Sequence, residues 1–225
     1  MAHLKEIFDS IVSSIFCKSN YVFIEYNLCN LKMSWKNPYA IIIDRYNNED
    51  YQRLDNFLLN IEENERPFTI NEVEKRLNIG HILFIAKKND KIVGCFWVAT
   101  NYIEVPFFHA SIYLSKEEIV DYNSFVVKEH RGKRINSGLK EHAFHSLKRQ
   151  GYKKAIGYIK TTNKSSLRAN EHFGYHKIGE VKDLIFMTLE FRRHNISRPQ
   201  VFFNGGVLRL WKGLYKKIKR QLQVR

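Results

Sequence analysis

The chain has 225 residues, 44% of them apolar and 14% aromatic, enough to bury a core, which excludes a chain that is mostly disordered. Its formal net charge of +14 is local: residues 191–225 hold ten Lys or Arg and no Asp or Glu, leaving 27 basic against 23 acidic groups before them. A domain so near neutrality is not a nucleic-acid binder on overall charge, and nucleic acid is disfavoured as a partner. Three cysteines (Cys17, Cys29, Cys95) form no CxxC or CxxH pair, which points to a reducing compartment and away from a disulfide scaffold. No apolar run approaches the roughly 18 residues that span a bilayer. The first stretch carries Glu6 and Asp9 and makes a poor signal peptide, so a cytoplasmic location is expected.

In chain order, Leu4, Ile7, Phe8, Ile11, Val12, Ile15 and Phe16 form the buried stripe of an amphipathic helix. Tyr21 to Tyr26 reads as a strand, Asn37-Pro38 as a turn, and Tyr39 to Asp44 as a second strand. A helix opening at Asn47-Asn48-Glu49-Asp50 continues through Leu54, Phe57, Leu58 and Ile61, and another covers Asn71 to Leu77. Ile82 to Ala86 and Ile92 to Ala99 form a hairpin around Asn89-Asp90. Strands follow at His109 to Leu114 and Ile119 to Val127, then a helix over 135–149 with Ile135, Leu139, Ala143 and Leu147 on one stripe. Ala155 to Ile159 is a strand, Asn163 caps a helix that ends near Gly174, and two strands run from His176 to Val181 and from Leu184 to Phe191. The pattern is α+β, with a mixed sheet.

Two motifs carry chemistry. In Val126-Val127-Lys128-Glu129-His130-Arg131-Gly132-Lys133-Arg134-Ile135-Asn136, a strand passes through a basic turn into a helix. Backbone N–H groups then converge on one spot at the positive helix end, a place for a phosphate or pyrophosphate. About thirty residues on comes Asn163-Lys164-Ser165-Ser166-Leu167-Arg168-Ala169-Asn170-Glu171-His172-Phe173-Gly174-Tyr175.

Together these motifs resemble the GCN5-related N-acetyltransferases (GNAT), a likeness covering roughly residues 39–191, with Asp44-Arg45-Tyr46 and Glu49-Asp50 similar to the family's opening strand and helix. The resemblance implies a mostly antiparallel central sheet flanked by helices. It divides the chain into an N-terminal helix and strand extension (1–38), an acyltransferase domain (39–191) and a basic tail (192–225). It implies acetyl-CoA, or another acyl-CoA, as co-substrate and no metal. The pyrophosphate turn would comprise Arg131, Gly132, Lys133, Arg134, Ile135, Asn136 and Ser137. Val126 matches the strand position whose backbone pairs with the pantetheine arm, and Val127, Asn163, Ser166 and Asn170 complete the coenzyme-facing set. Gly174-Tyr175 matches the family's Gly-Phe.

Three positions depart from the family. Glycine or alanine is usual where Arg134 and Asn136 stand, and side chains there obstruct close backbone approach to phosphate. Arg134 offers a bidentate fork instead, and Asn136 tolerates unusual backbone angles. Asn170 occupies the place of a tyrosine that protonates the leaving thiolate in many members, and an amide cannot do so. Tyr175, Tyr158 and Tyr122 are the substitutes. A general base must free the attacking amine, and Glu118, Asp121 and His109 are candidates, Glu118 first. The bland alternatives are a solvated basic turn at Arg131-Gly132-Lys133, a plain helix cap at Asn163 and a water-facing Asp121.

His142 and His145, and His172 and His176, have helix-face spacing, but no Cys or carboxylate completes a metal site. Beyond Gly205-Gly206, Leu208, Trp211, Tyr215, Ile218 and Leu222 recur at helical steps among Lys and Arg. A basic amphipathic helix over 207–222 suits an anionic membrane surface, peripheral on its inner face, or packing on the domain or in a homodimer. The expected acceptor is a small-molecule primary amine, such as an amino sugar of a surface polysaccharide precursor or an amino acid. The alternatives are an acyl-carrier-protein-dependent N-acyl amino acid synthase and an inactive GNAT-like binding module.

Overall fold

A computed structural model describes residues 16–32, 34–37, 39–105, 110–186, 189–194, 196 and 200–203. The expected helix over the first residues lies outside these, except for Phe16, which opens a strand, and the basic helix over 207–222 lies outside them entirely. The strands are β1 (Phe16–Asn27), β2 (Ile42–Arg45), β3 (Ile82–Lys88), β4 (Lys91–Ala99), β5 (Tyr102–Val105), β6 (Ala110–Tyr113), β7 (Glu118–Val126), β8 (Lys154–Lys160), β9 (His176–Phe186), β10 (Leu189–His194) and β11 (Gln200–Phe203). The helices are α1 (Tyr51–Leu59), α2 (Ile70–Asn78), α3 (Ile135–Arg149) and α4 (Lys164–Phe173). Eight strands form one sheet in the order β10-β9-β1-β8-β7-β4-β3-β2, and β11-β6-β5 form a second. Within the large sheet only β7 and β8 run parallel among the described residues.

Alternation along the strands sorts the core onto two faces. Phe84 and Ala86 of β3, with Phe96 and Val98 of β4, pack under Leu139, Ala143, Phe144 and Leu147 of α3. Their neighbours Leu83, Ile85, Cys95 and Trp97 pack against Leu54, Phe57 and Leu58 of α1 and Val73 of α2. Leu167 and Phe173 of α4 join the α3 side. The small sheet buries Ile103, Val105, Ala110 and Ile112 against Phe23, Val120 and Ile156. The β3–β4 hairpin turns as expected at Asn89 and Asp90, both left-handed at φ 49° and 62°. Thr69 and Glu72 form a capping box, so α2 starts one residue before its expected Asn71.

The strand of the expected N-terminal extension, β1, lies between β8 and β9, antiparallel to both, with Tyr21–Asn27 paired to β8 and Phe16–Glu25 to β9. One expectation is corrected. The expected break at Lys182-Asp183 is absent. Those residues pair with Asn20 and Ser19 of β1, so a long partner keeps β9 extended through Phe186. Strands β5 and β11 have no counterpart in the sequence reading, and β11 forms by pairing with β6.

Candidate active site

Strands β7 and β8 pair at only three positions: Glu118 with Lys154, Ile119 with Ala155 and Val120 with Ile156. Past Val120 they diverge. β7 continues along β4 to Val126, and β8 continues along β1 to Lys160. The divergence coincides with a bulge in β7: Tyr122 and Phe125 are three residues apart, while their partners Trp97 and Cys95 are two apart. Asn123 absorbs the extra residue in a left-handed conformation at φ 45°. The facing edges of β7 and β8 beyond this vertex are open to an extended, amide-bearing chain.

β7 ends in a 3-10 turn over Lys128–His130, then Gly132 (φ 76°) and Arg134 (φ 55°) turn left-handed into α3. No side chain among the described residues caps α3, so its first-turn N–H groups point outward unpaired. The turn's cations brace the loop itself: Arg131 Nε donates to the Val126 carbonyl (2.9 Å) with its guanidinium over the Phe125 ring, and Lys133 Nζ donates to the Glu129 carbonyl (2.9 Å). Asn136 needs no unusual backbone, because it lies in the first turn of α3; its side chain bonds the Ser124 hydroxyl and ties the helix to the bulged strand. The left-handed residue is Arg134, which carries a cost of roughly 1–2 kcal/mol.

A strap crosses α3 one turn on. Glu141, 2% exposed, accepts from the Ser34 N–H (2.8 Å), the Ser34 hydroxyl (2.7 Å) and the Trp35 N–H (2.9 Å). Trp35 lies so close to Gly138 that a Cβ there would stand 2.5 Å from its ring. Between α3, α4 and this strap lies a cleft of about 640 Å³, lined in part by Arg134, Ser137, Lys32 and His172.

Under the vertex sits a buried polar cluster. Lys140 of α3, 5% exposed, donates to Asp121 Oδ2 of β7 (2.5 Å) and to Asn170 Oδ1 of α4 (2.6 Å). Its ammonium stands 4.6 Å from the centre of the Tyr175 ring. Asn170 in turn donates to the Ser166 carbonyl (2.8 Å). Burial, and then the neighbouring Asp121 carboxylate, hold the Tyr175 phenol well above its ordinary value. Asp121 Oδ1 and the Tyr175 hydroxyl are buried with no partner outside the cluster among the described residues.

The sequence profile of the Acetyltransferase (GNAT) family matches residues 31–175, more than half the chain. The chain belongs to this family. Solved structures show the same fold. One is a GCN5-related glucosamine N-acetyltransferase region of a fungal multi-domain GH3 beta-N-acetylglucosaminidase (14% identity, 80% of this chain and 22% of that chain, TM-score 0.57). Another is a functionally unknown conserved protein of Staphylococcus epidermidis (13% identity, 80% and 66%, TM-score 0.53). A third is a Drosophila protein (12% identity, 79% and 55%, TM-score 0.50). The chain spans less than two thirds of the length of each. No curated protein sequence matches significantly.

On this GNAT fold the sequence-expected residues separate into groups. Val126, Val127 and Arg131 to Ser137 form the strand end, turn and first helical turn beside the open edge. Asn163 is the N-cap of α4, accepting from the Ser166 N–H (3.1 Å), so it fills the plain structural role anticipated as its alternative. Asp121, Asn170 and Tyr175 converge on the cluster under the vertex. Glu118 does not reach it: it lies at the paired end of β7, where its carboxylate accepts from the Ser115 N–H (2.9 Å). His109 lies outside the described residues. No group of three metal-ligating side chains occurs among the described residues.

Lys140 and Glu141 were missed by sequence reasoning. A signal existed for Lys140, which stands four residues before Phe144 and seven before Leu147, a charge inside the apolar stripe of α3. On the opposite face of β7, Tyr122 meets His81 Nδ1 (2.5 Å), while His81 Nε2 contacts the Tyr102 carbonyl (2.9 Å). A carbonyl only accepts, so Nε2 carries the proton and the Tyr122 hydroxyl donates to Nδ1. The Arg76 guanidinium lies 5.2–5.3 Å from the ring centres of Phe68, Trp97 and Tyr122. With its amide oxygen turned toward Arg76, Asn123 accepts from both terminal nitrogens (3.0 and 3.1 Å). Burial and then Tyr122 raise the Tyr158 phenol above its usual range.

Proposed function

We propose that this chain is an N-acyltransferase that moves an acetyl or other acyl group from coenzyme A to a primary amine of a small molecule, such as an amino sugar or an amino acid. The observation that carries the reading is the opening of β7 from β8 after Val120 and Ile156, next to the uncapped start of α3. The pantetheine amides pair with the open strand edge, and the pyrophosphate takes the N–H groups of Gly132 to Ser137 at the positive helix end. The cleft lined by Arg134 and Ser137 is large enough for the nucleotide end.

The chemistry follows from this placement. The amine attacks the thioester carbonyl as a neutral nucleophile, and open backbone N–H groups of β7 beyond the vertex stabilise the oxyanion. Asp121 is the carboxylate nearest the vertex among the candidate bases, and Tyr122 with His81 and Arg76 forms the wall on the acceptor side. The exposed cations of the turn also suit the acidic surface of an acyl carrier protein as donor. The basic residues of the tail would keep the enzyme at the inner face of an anionic membrane.

Calorimetric titration with acetyl-CoA tests the reading. Wild-type protein is expected to bind in the micromolar range. Arg131→Glu, which loses the brace on Val126 and places a negative charge at the cradle, is expected to lose that binding. Absence of heat with the wild type, together with turnover of acyl-carrier protein, would move the donor to the carrier. Absence of both would remove the acyltransferase reading.

A further inference from the structure

We infer that Lys140 is the proton donor to the departing thiolate, with Asp121 and Asn170 holding its ammonium at the vertex; the assignment rests on the coenzyme-dependent reading above. Three elements that bound the opening each send one side chain to a single point: Lys140 from α3, Asp121 from β7 and Asn170 from α4. The ion pair is nearly dry, with side chains 6% and 7% exposed. Burying such a pair is a poor route to stability, since apolar residues of similar volume serve as well or better. A charge retained there calls for a reason beyond packing.

The hydrogen-bond inventory supplies that reason. An ammonium has three N–H donors. Asp121 and Asn170 take two of Lys140's, and the third has no acceptor among the described residues. Asp121 Oδ1 and the Tyr175 hydroxyl have no partner outside the cluster among the described residues, and the phenol lies within reach of the Asp121 carboxylate. The cluster thus leaves the third N–H of Lys140 unused beside the point where the two strands part. The Asp121 carboxylate reaches across to β8: a Cβ on Gly157 would stand 3.0 Å from Asp121 Oδ1. Aromatic rings wall the ammonium, with Phe96 and Phe173 at 5.7 and 5.8 Å beyond Tyr175. The titratable groups that face it are Asp121 and Tyr175, with Tyr26 and Tyr158 behind them.

The step balances. The amine nitrogen bonds to the thioester carbonyl carbon, the C–S bond breaks, and the sulfur takes a proton from Lys140 to leave as thiol. The attacking nitrogen loses one proton, which returns to the neutral Lys140 through Asp121 Oδ1. Asn170 positions the donor and needs no acidity of its own, so the amide at that place is consistent with turnover.

The test uses the full chain, coenzyme A and acetyl-CoA, with glucosamine and free amino acids as acceptors. Thiolate absorbance of bound coenzyme A is followed against pH in wild type, in Lys140→Arg and in the double variant Lys140→Met with Asp121→Asn, which strands no buried charge. The bound thiol is expected to ionise at least about one pH unit lower in wild type than in the double variant, because a facing cation favours the thiolate. Lys140→Arg keeps the charge and the ion pair but cannot give up a proton. It is expected to bind acetyl-CoA as wild type does and to lose about 100-fold or more in kcat. Lys140→Arg with wild-type kcat, or identical thiol titration in wild type and the double variant, overturns the assignment while leaving the coenzyme reading intact. Wild type that binds neither coenzyme A nor acetyl-CoA overturns both. If wild type binds acetyl-CoA but acylates no amine tried, the thiol titration alone decides.

Discussion

Gly138 is the residue on which the start of α3 depends most directly. Its Cβ would enter the Trp35 ring at 2.5 Å, and Trp35 is held in place by the grip of Glu141 on the backbone of the strap. Gly138→Ala is therefore expected to destabilise the protein by about 1–3 kcal/mol, read as a fall in Tm. Adding Trp35→Leu should recover much of the loss, and a Tm unchanged by Gly138→Ala would show that the strap shifts freely. His81 gives a pH dependence of known sign. Burial, with Arg76 in addition, lowers its native pKa below the ordinary 6.5, against the opposing hydrogen bond to Tyr102. The unfolded chain thus binds the proton more readily, so this contribution to stability is full above about 6.5 and is lost as pH falls below it. Denaturant midpoints measured from pH 7.5 down to 5 should decline in wild type and decline less in His81→Gln. Parallel curves would remove His81 as the cause. At this scale the sequence exposed what depends on local order. Arg131, Gly132 and Asn163 could be placed because a strand, a turn and a helix follow each other within a few residues. The Lys140–Asp121–Asn170 cluster joins residues 19 and 30 apart in the chain, and only the packing of three elements brings them together.

Among the elements, β1 decides more than its place at the beginning of the described chain suggests. It supplies hydrogen bonds on both edges, to β8 and to β9, and so closes the sheet between two strands that are neighbours in sequence only across α4. Val22 pairs with Ile159 on one side and Glu180 on the other. Val22→Pro is expected to abolish cooperative unfolding, followed by near-UV circular dichroism on heating, because proline in a central strand removes a ladder bond and fits only edges. Ile42→Pro, on strand β2, which among the described residues pairs only with β3, should be tolerated far better. Equal damage from the two would mean that β1 is not central. The strand itself was legible, since Tyr21 to Tyr26 is a short run rich in β-branched and aromatic residues. Its partners were not, because strand periodicity says which residues face a core and nothing about which neighbour takes the backbone bonds. The same blindness split β9 at Lys182-Asp183, a polar pair that reads as a turn until a partner strand holds it extended.

At the scale of the whole molecule the charge is divided unevenly, and that division makes a separable prediction. The ten cations of residues 191–225 face no acidic residue within that stretch, while the rest of the chain is close to balanced. Each Lys or Arg near an anionic bilayer contributes about 1 kcal/mol, an attraction that fades within a Debye length of about 8–10 Å at physiological salt. An amphipathic helix over 207–222 would add its Leu, Trp and Ile stripe to that attraction. The full chain is expected to sediment with vesicles containing phosphatidylserine, to stay in solution with phosphatidylcholine alone, and to be released as salt rises. A chain ending at Phe203 should lose vesicle binding and still titrate with acetyl-CoA, because the turn at Arg131 to Asn136 and the open edges of β7 and β8 lie wholly upstream. If the shortened chain binds vesicles equally, the attraction comes from the domain, and the exposed cations of the turn at Arg131 to Arg134 become its source. If it loses acetyl-CoA together with the vesicles, the tail contributes to the site itself, and the two halves of the charge distribution serve one function.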